Sequence, residues 1–179
     1  MIDIPVTYIA QPDEHLCWYT ALQMIVEYRR GAEAAVVGHP AALTQGAAQS
    51  LVRAGIRAQQ VQIGISATRK ALSRQPPRGL EDGETAEMAQ LNGMREAATP
   101  AGGWTAASLE QALRDHGPLW CAIQHDLAAT QHVVVVKGVN AAGQVVLHDP
   151  QFGPNLPWEV PNFTKRLLTL PNSVLYLPA

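Results

Sequence analysis

The sequence predicts an α+β protein in which helices come first and antiparallel strands follow. Apolar residues recur at helical spacing early in the chain, while the later part carries short β-rich runs separated by turn residues. The two kinds of element do not alternate, which argues against a parallel sheet with crossover helices. A length of 179 residues suits one domain. We therefore predict a single domain over 1–179, with a helical lobe over about 1–103 and a β lobe over about 104–179.

The helical lobe starts with an extended arm over 4–9 and a loop through Gln11. A helix then runs from near Leu16, with Asp13 as its cap, to a stop at Gly31 after two basic residues. Further helical patterns lie within 32–73. The stretch 74–103 collects Pro, Gly and acidic residues around one short helix at 84–95, and is typical of a long connection.

The β lobe begins with a helix over 105–117, capped by Thr105 or Ser108 and ended by Gly117. A strand over 118–125 follows, and then a hairpin of HVVVVKGVN and QVVLHDP with its turn around the AAG of 141–143. A proline-rich stretch leads to a last strand near SVLYLP.

Charge and composition exclude several functional classes. Thirteen Lys and Arg against fifteen Asp and Glu give a net charge of −2 without a basic run, so we expect no nucleic-acid partner. The apolar run VVVV at 133–136 is far too short to span a membrane. Two cysteines do not make a disulfide scaffold. The N-terminus lacks the basic start of a signal peptide, so we expect a cytoplasmic protein or one exported by a signal-independent system.

The first candidate functional residue is Cys17, in the first turn of the helix that starts near Leu16. Unpaired N–H groups and the positive end of the helix dipole favour a thiolate there. Taken alone, Cys17 also fits a buried core position, because free cysteines are often core residues. A nucleophilic thiol needs a base nearby, and histidine on a rigid element is the best candidate.

The predicted hairpin supplies a base and a partner for it. If Asn140 lies opposite Gly143, paired positions sum to 283 and Asp149 lies opposite Val134. Side chains two residues apart share a face of a strand, so His132 and Asp149 become diagonal neighbours roughly 7 Å apart. The same register sends His148 to the opposite face. A slip of one residue would exchange the two.

An oxyanion formed at Cys17 needs hydrogen-bond donors fixed in advance. Gln11 carries an amide NH₂ six residues before the thiol, and the backbone N–H of Cys17 is its natural partner. A solvent-facing or capping role for Gln11 is the alternative.

These residues together resemble a papain-like cysteine peptidase: Gln, five residues, then Cys-Trp at a helix start, later a His that opens an apolar strand and an Asp in the next strand. The Asp-Pro pair of VVLHDPQFG is more similar to the bacterial branch, which includes double-glycine leader peptidases and secreted papain-like effectors. The plant-type Cys-Gly-Ser-Cys-Trp signature is absent, and Asp149 stands in place of Asn.

The resemblance implies a two-lobe papain-like fold with Cys17 as nucleophile, His132 as general base and then acid, Asp149 as its orienter, and Gln11 as oxyanion donor. It implies a protein or peptide substrate and no cofactor or metal. As a bacterial effector or toxin, the protein would also have an immunity or inhibitor protein as partner. A papain-like amidase, deamidase or peptidoglycan-cleaving toxin is one alternative, and an interaction module without turnover is another.

The remaining candidates receive plainer interpretations. Cys121 lies within LWCAI and is predicted to be a core residue. His15 either lines the cleft or is solvated. Trp18 and Trp158 are core or cleft-wall residues that could shield the contact between His132 and Asp149. Zinc ligation by His125, His132, His148 and Asp149 is disfavoured, because no short ligand spacing is present.

Overall fold

The computed structural model describes residues 1–12, 14–31, 80, 84–124 and 131–179. In these ranges the chain forms helices and one antiparallel sheet, so the predicted α+β class is confirmed. The helices predicted within 32–73 and the cap Asp13 lie outside the described residues. The helices are α1 (Cys17–Arg30), α2 (Glu84–Asn92), α3 (Ala106–His116) and α4 (Val160–Arg166). The strands are β1 (Ile2–Asp3), β2 (Arg95–Glu96), β3 (Leu119–Gln124), β4 (Gln131–Val139), β5 (Val145–Asp149), β6 (Gly153–Trp158) and β7 (Val174–Tyr176).

The strand β4 is the centre of the sheet, whose order is β2-β7-β3-β4-β5-β6. The short strand β1 pairs with the far end of β4, through Ile2 opposite Val139. The four valines at 133–136 are all buried. Both faces of β4 are therefore covered, which explains why this strand is a continuous apolar run rather than an alternating one.

The helices α1 and α3 cover opposite faces of the sheet. The indole N–H of Trp120 donates a hydrogen bond to the Trp18 carbonyl of α1 over 3.0 Å. His116 at the end of α3 stacks on Tyr176, with ring centroids 4.0 Å apart. Tyr176 pairs with Leu119, the neighbour of Trp120, so the two contacts belong to opposite faces. We call these the α1 face and the α3 face.

The helix α3 forms as its sequence predicts. Thr105 is its N-cap and exchanges hydrogen bonds with Ser108 in a capping box, and Gly117 follows its last residue with φ +75°. A cap of this kind stabilises a helix by about 1 kcal/mol. Helix α1 differs, because its N-cap Leu16 makes no side-chain hydrogen bond to the first turn.

The hairpin of β4 and β5 has the predicted register near His148 but not near the turn. Asn140 faces Gln144 rather than Gly143, because 141–143 form a three-residue loop with Gly143 at φ +79°. Lys137 then adds one extra residue to β4 as a bulge. The longer loop moves the register by one residue and the bulge moves it back by one. Val135 therefore lies opposite His148 as predicted.

The proline-rich stretch contains two elements that the sequence analysis missed, β6 and α4. Strand β6 contains Pro154 and Pro157 and lies at the edge of the sheet, where proline is tolerated because the strand pairs along one side only. Helix α4 has a proline in its first turn, a position where the ring fits helical geometry. Prolines therefore mark an edge strand and a helix start here, not only loops.

Candidate active site

Cys17 is the first residue of α1 and is buried, with 7% of its surface exposed. The side chain of the N-cap residue Leu16 accepts no hydrogen bond from the first backbone N–H groups of the helix, which have no partner within the helix itself. These N–H groups and the helix dipole put the positive end of the helix next to the Cys17 sulfur. The thiol is also hydrogen-bonded to His132.

His132 and Asp149 form the second contact of the site. The Nε2 atom of His132 lies 2.8 Å from Oδ1 of Asp149, and both side chains are buried. His132 is the second residue of β4 and Asp149 is the last of β5, so both lie at the end of the sheet where α1 begins. With Nε2 bonded to Asp149, the Nδ1 atom remains for the contact with Cys17.

The carboxylate of Asp149 is held by the turn that follows it. Its Oδ1 accepts hydrogen bonds from the backbone N–H groups of Gln151 (2.9 Å) and Phe152 (3.2 Å). Asp149 thus begins the turn and contacts His132 as well. The turn fixes the orientation of the carboxylate, and the carboxylate fixes the imidazole.

The electrostatic environment favours the protonated form of His132. Burial alone would lower the pKa of His132, but hydrogen bonds to Asp149 and Cys17 and the negative charge of both groups raise the pKa to about 9. The imidazolium is therefore stable at neutral pH, which is the form that pairs with a thiolate and can donate a proton.

Phe152 is the aromatic residue that the structure places beside His132. Its ring meets the imidazole edge to face at 6.3 Å and is 55% exposed. Trp18 and Trp158 were the aromatic residues predicted to shield the contact between His132 and Asp149. Trp18 is instead buried against Tyr19, and Trp158 lies under the Arg166 guanidinium. No spacing pattern in the sequence marked Phe152 for this position.

Gln11 lies in a loop that is fastened to the end of β5. Its backbone N–H donates to the Pro150 carbonyl over 2.8 Å, and the Tyr8 hydroxyl donates to the same oxygen over 3.3 Å. Within the described part of the chain, the buried side-chain oxygen of Gln11 has no hydrogen-bond partner. A buried amide end left unpaired costs about 1–3 kcal/mol and is therefore a feature that needs an explanation.

The other titratable candidates of the described ranges make contacts of their own. His148 belongs to the α1 face and binds backbone groups through both ring nitrogens. Cys121 is fully buried in β3, and burial raises the pKa of its thiol. His15 lies 3.8 Å from Glu14 and is partly exposed, and His125 is outside the described residues. In the described ranges, no three His, Cys, Asp or Glu side chains are grouped to hold a metal ion.

A cavity of about 690 Å³ lies beside the sheet on the far side of β3 from His132. Ile123 pairs with His132 and also bridges Leu167, a lining residue, so these three residues form one row across the sheet. Paired residues share a face of a sheet. The lining combines polar residues, such as Glu96, Thr99 and Thr169, with an aliphatic part formed by Ala97, Leu167, Leu168, Leu170, Pro171 and Val174.

A helix that presents a thiol to a histidine on an antiparallel sheet places the chain among the papain-like cysteine peptidases. The model of one family, described as papain-like cysteine protease AvrRpt2, matches residues 1–167, which is most of the chain. The chain belongs to this family, so the resemblance found in the sequence is confirmed and the protein is a cysteine peptidase. A search of curated proteins found no match. Over the described residues, no helix is long and apolar enough to cross a bilayer.

Proposed function

We propose that the protein hydrolyses peptide bonds with Cys17 as nucleophile, His132 as general base and acid, and Asp149 as the residue that orients His132. The observation that carries the proposal is the continuous chain of contacts from the Cys17 thiol through the imidazole of His132 to a carboxylate held by its own turn. The peptidase family supports the reaction, and these contacts support the assignment of roles.

In the first half of the reaction the Cys17 thiolate attacks the carbonyl carbon, and the carbonyl oxygen becomes an oxyanion. The His132 imidazolium then donates its Nδ1 proton to the leaving amine as the C–N bond breaks, which leaves a thioester on Cys17. In the second half, neutral His132 takes a proton from water as the water attacks the thioester. Loss of the acid product returns the thiolate and the imidazolium. No cofactor enters either half.

We further propose that the oxyanion is bound by the backbone N–H of Cys17 and the side-chain amide of Gln11. The first is supported by the position of Cys17 as the first residue of α1, where backbone N–H groups have no partner within the helix. The second is supported by the unpaired, buried end of the Gln11 amide. The two ends of an amide have nearly equal shape, so rotation about the last side-chain bond presents its N–H donors at the same point.

The cavity beside β3 is our proposal for a substrate subsite that accepts apolar side chains. A row of paired residues connects the site to the cavity, from His132 through Ile123 to the lining residue Leu167. Neighbouring strands of a sheet lie about 4.8 Å apart. The lining therefore begins about 10 Å from His132. A peptide of extended backbone covers that distance with about three residues. The aliphatic part of the lining favours an apolar side chain of the substrate.

We also propose that the peptidase acts as a secreted bacterial effector and that the producing cell holds an inhibitor protein against it. Membership of the AvrRpt2 family supports the first part. An amidase or deamidase using the same three residues is the competing activity, because the thiolate attacks any accessible amide carbonyl.

A thiol-directed epoxysuccinyl probe tests the nucleophile. We expect the native protein and Cys121→Ala to be labelled once near neutral pH, and Cys17→Ala to stay unlabelled, because Cys121 is fully buried. Intact-mass spectrometry measures the adduct, and peptide mapping locates it. Equal labelling of Cys17→Ala and native protein would refute the assignment. Labelling at Cys17 without cleavage of any peptide in a diverse library, but with release of ammonia from glutamine side chains, would replace peptidase by deamidase.

The variant Leu170→Asp tests the apolar subsite. Leu170 lines the cavity and is 43% exposed, so a carboxylate there is tolerated by the fold but opposes an apolar substrate side chain. We expect KM for the best peptide to rise about tenfold or more, with little change in kcat. Leu91→Asp is the matched control, since Leu91 is 37% exposed on α2 and outside the cavity. An unchanged KM and an unchanged library profile would exclude the cavity as a subsite.

A further inference from the structure

Three successive residues at the end of β5, His148, Asp149 and Pro150, each form a hydrogen bond to a different segment of the chain. Asp149 contacts His132. The Pro150 carbonyl binds the Gln11 loop, and His148 binds the N-terminal arm on the α1 face. The mechanism proposed above uses Asp149 and Gln11 but gives no role to His148, although this histidine is only 2% exposed.

Both ring nitrogens of His148 are occupied by backbone groups. Nε2 lies 3.0 Å from the Val6 carbonyl oxygen, and Nδ1 accepts a hydrogen bond from the backbone N–H of Asn155 over 3.0 Å. A nitrogen that accepts from an N–H carries no proton, so Nε2 is the donor and the ring is neutral. His148 thereby links the arm to β5 and β6 in one defined tautomer.

The arm that His148 holds leads directly to Gln11. Val6 is buried, and the Tyr8 ring packs edge to face on the His148 ring with centroids 5.6 Å apart. The Tyr8 hydroxyl and the Gln11 N–H then share the Pro150 carbonyl. Four residues lie between Val6 and Gln11, so the contact at the Val6 carbonyl limits where the loop can place the Gln11 amide.

Charged groups around His148 agree with a neutral ring. Burial lowers the pKa of His148, the cation of Lys137 lowers it further, and the Val6 carbonyl and Asp3 oppose them. Lys137 is itself buried and bonds to Asp3 and to Asn155. The ring is thus a fixed donor to the arm at neutral pH.

We propose that His148 is a positioning residue of the peptidase, which holds arm residues 6–11 so that Gln11 reaches the oxyanion formed at Cys17. The inference rests on the proposed role of Gln11. When an oxyanion donor moves by a fraction of the hydrogen-bond length, it binds the transition state less well, while substrate binding stays nearly unchanged. The expected signature of losing the arm contact is therefore a lower kcat with a similar KM.

Two amide substitutions separate the two bonds of His148. In His148→Gln the amide nitrogen occupies the position of Nε2 and keeps a donor to the Val6 carbonyl, while the acceptor for Asn155 is lost. In His148→Asn the amide oxygen occupies the position of Nδ1 and keeps the acceptor, while the donor to Val6 is lost. We expect His148→Asn to lower kcat about tenfold with KM nearly unchanged, and His148→Gln to restore most of the loss.

A purely structural role of His148 predicts a different pattern. Equal losses of kcat in both variants, or a larger loss in His148→Gln, would overturn the inference, because both variants remove one hydrogen bond of the same ring. Should His148→Asn fail to fold in a thermal melt, Tyr8→Phe replaces it. That variant removes only the hydroxyl bond to Pro150, and we expect its kcat to fall about threefold.

A double-mutant cycle with Gln11→Ala tests whether His148 affects kcat through Gln11. If His148 acts through Gln11, then adding His148→Asn or Tyr8→Phe to Gln11→Ala lowers kcat by less than about twofold more. Independent, additive losses would refute the positioning role and leave Gln11 as oxyanion donor intact. If Gln11→Ala alone leaves kcat at the level of the matched exposed control Gln111→Ala, the oxyanion proposal itself fails and the inference falls with it.

Discussion

Replacing His132 by alanine is expected to reduce kcat/KM for peptide hydrolysis by about 10⁴-fold or more, since loss of one member of a nucleophile–base unit removes most of the chemistry. The thiol would keep its helix N-terminus but lose its proton acceptor and, later in the reaction, the donor to the leaving amine. The residual rate would come from substrate binding and the oxyanion donors alone.

The measurement is steady-state cleavage of a fluorogenic peptide, with His116→Ala as control. His116 stacks on Tyr176 at the end of α3, remote from Cys17, so its loss perturbs packing but not chemistry. We also expect the epoxysuccinyl probe to label His132→Ala much more slowly than native protein. Activity of His132→Ala within tenfold of native would be incompatible with a general-base role.

The contact between His132 and Asp149 was predictable from sequence because a strand has a strict two-residue period. The prediction nevertheless assumed a hairpin turn one residue too short. It reached the right pairing at His148 because the bulge at Lys137 restores the register. An alternation of apolar and polar residues would have revealed the register, but 133–136 are apolar on both faces of the strand. The sequence pattern therefore predicts neither the longer loop nor the bulge.

The bulge has a local physical reason. The extra residue Lys137 directs a buried ammonium to Asp3 and to Asn155 rather than continuing the apolar run. Lys137 within a strand of valines indicated an irregular position. Its partners, however, lie far away in the sequence, in β1 and in β6. Long-range polar partners of this kind follow from the fold and not from periodicity.

The missed parts of the site are those set by turns and loops. Phe152 contacts His132 because the turn after Asp149 folds back, and no spacing rule places a ring two residues after a proline. The attachment of Gln11 to Pro150 joins residues far apart in the chain through one backbone bond. Residue types could nominate Gln11, but its anchoring required the three-dimensional structure.

The charge of Asp149 should control the alkaline limit of activity. His132 has a raised pKa of about 9, and Asp149 is among the groups that raise it. The protonated form of His132 pairs with the thiolate, so we expect native kcat/KM to fall as pH rises through about 9. In Asp149→Asn an oxygen still accepts from the turn and the ring, but the charge is gone. The alkaline limb should therefore move toward the ordinary histidine pKa of about 6.5.

Asp149→Ala removes the acceptor as well as the charge. The ring N–H of His132 and the backbone N–H groups of Gln151 and Phe152 then lose a buried partner, which we expect to destabilise the fold by about 2–4 kcal/mol. The imidazole is also free to turn or to exchange tautomers, so kcat should fall about 10²- to 10⁴-fold, well below Asp149→Asn.

These two variants distinguish orientation from charge. If Asp149 acts mainly by holding the ring, Asp149→Asn retains most of kcat at its shifted pH optimum while Asp149→Ala does not. If charge dominates, both variants lose similar activity and both shift the alkaline limb. Full pH profiles of kcat/KM, with thermal melts at each pH, separate the cases. An alkaline limb that stays near pH 9 in both variants would show that Asp149 does not control the proton of His132, because the contact that raises its pKa would then be dispensable.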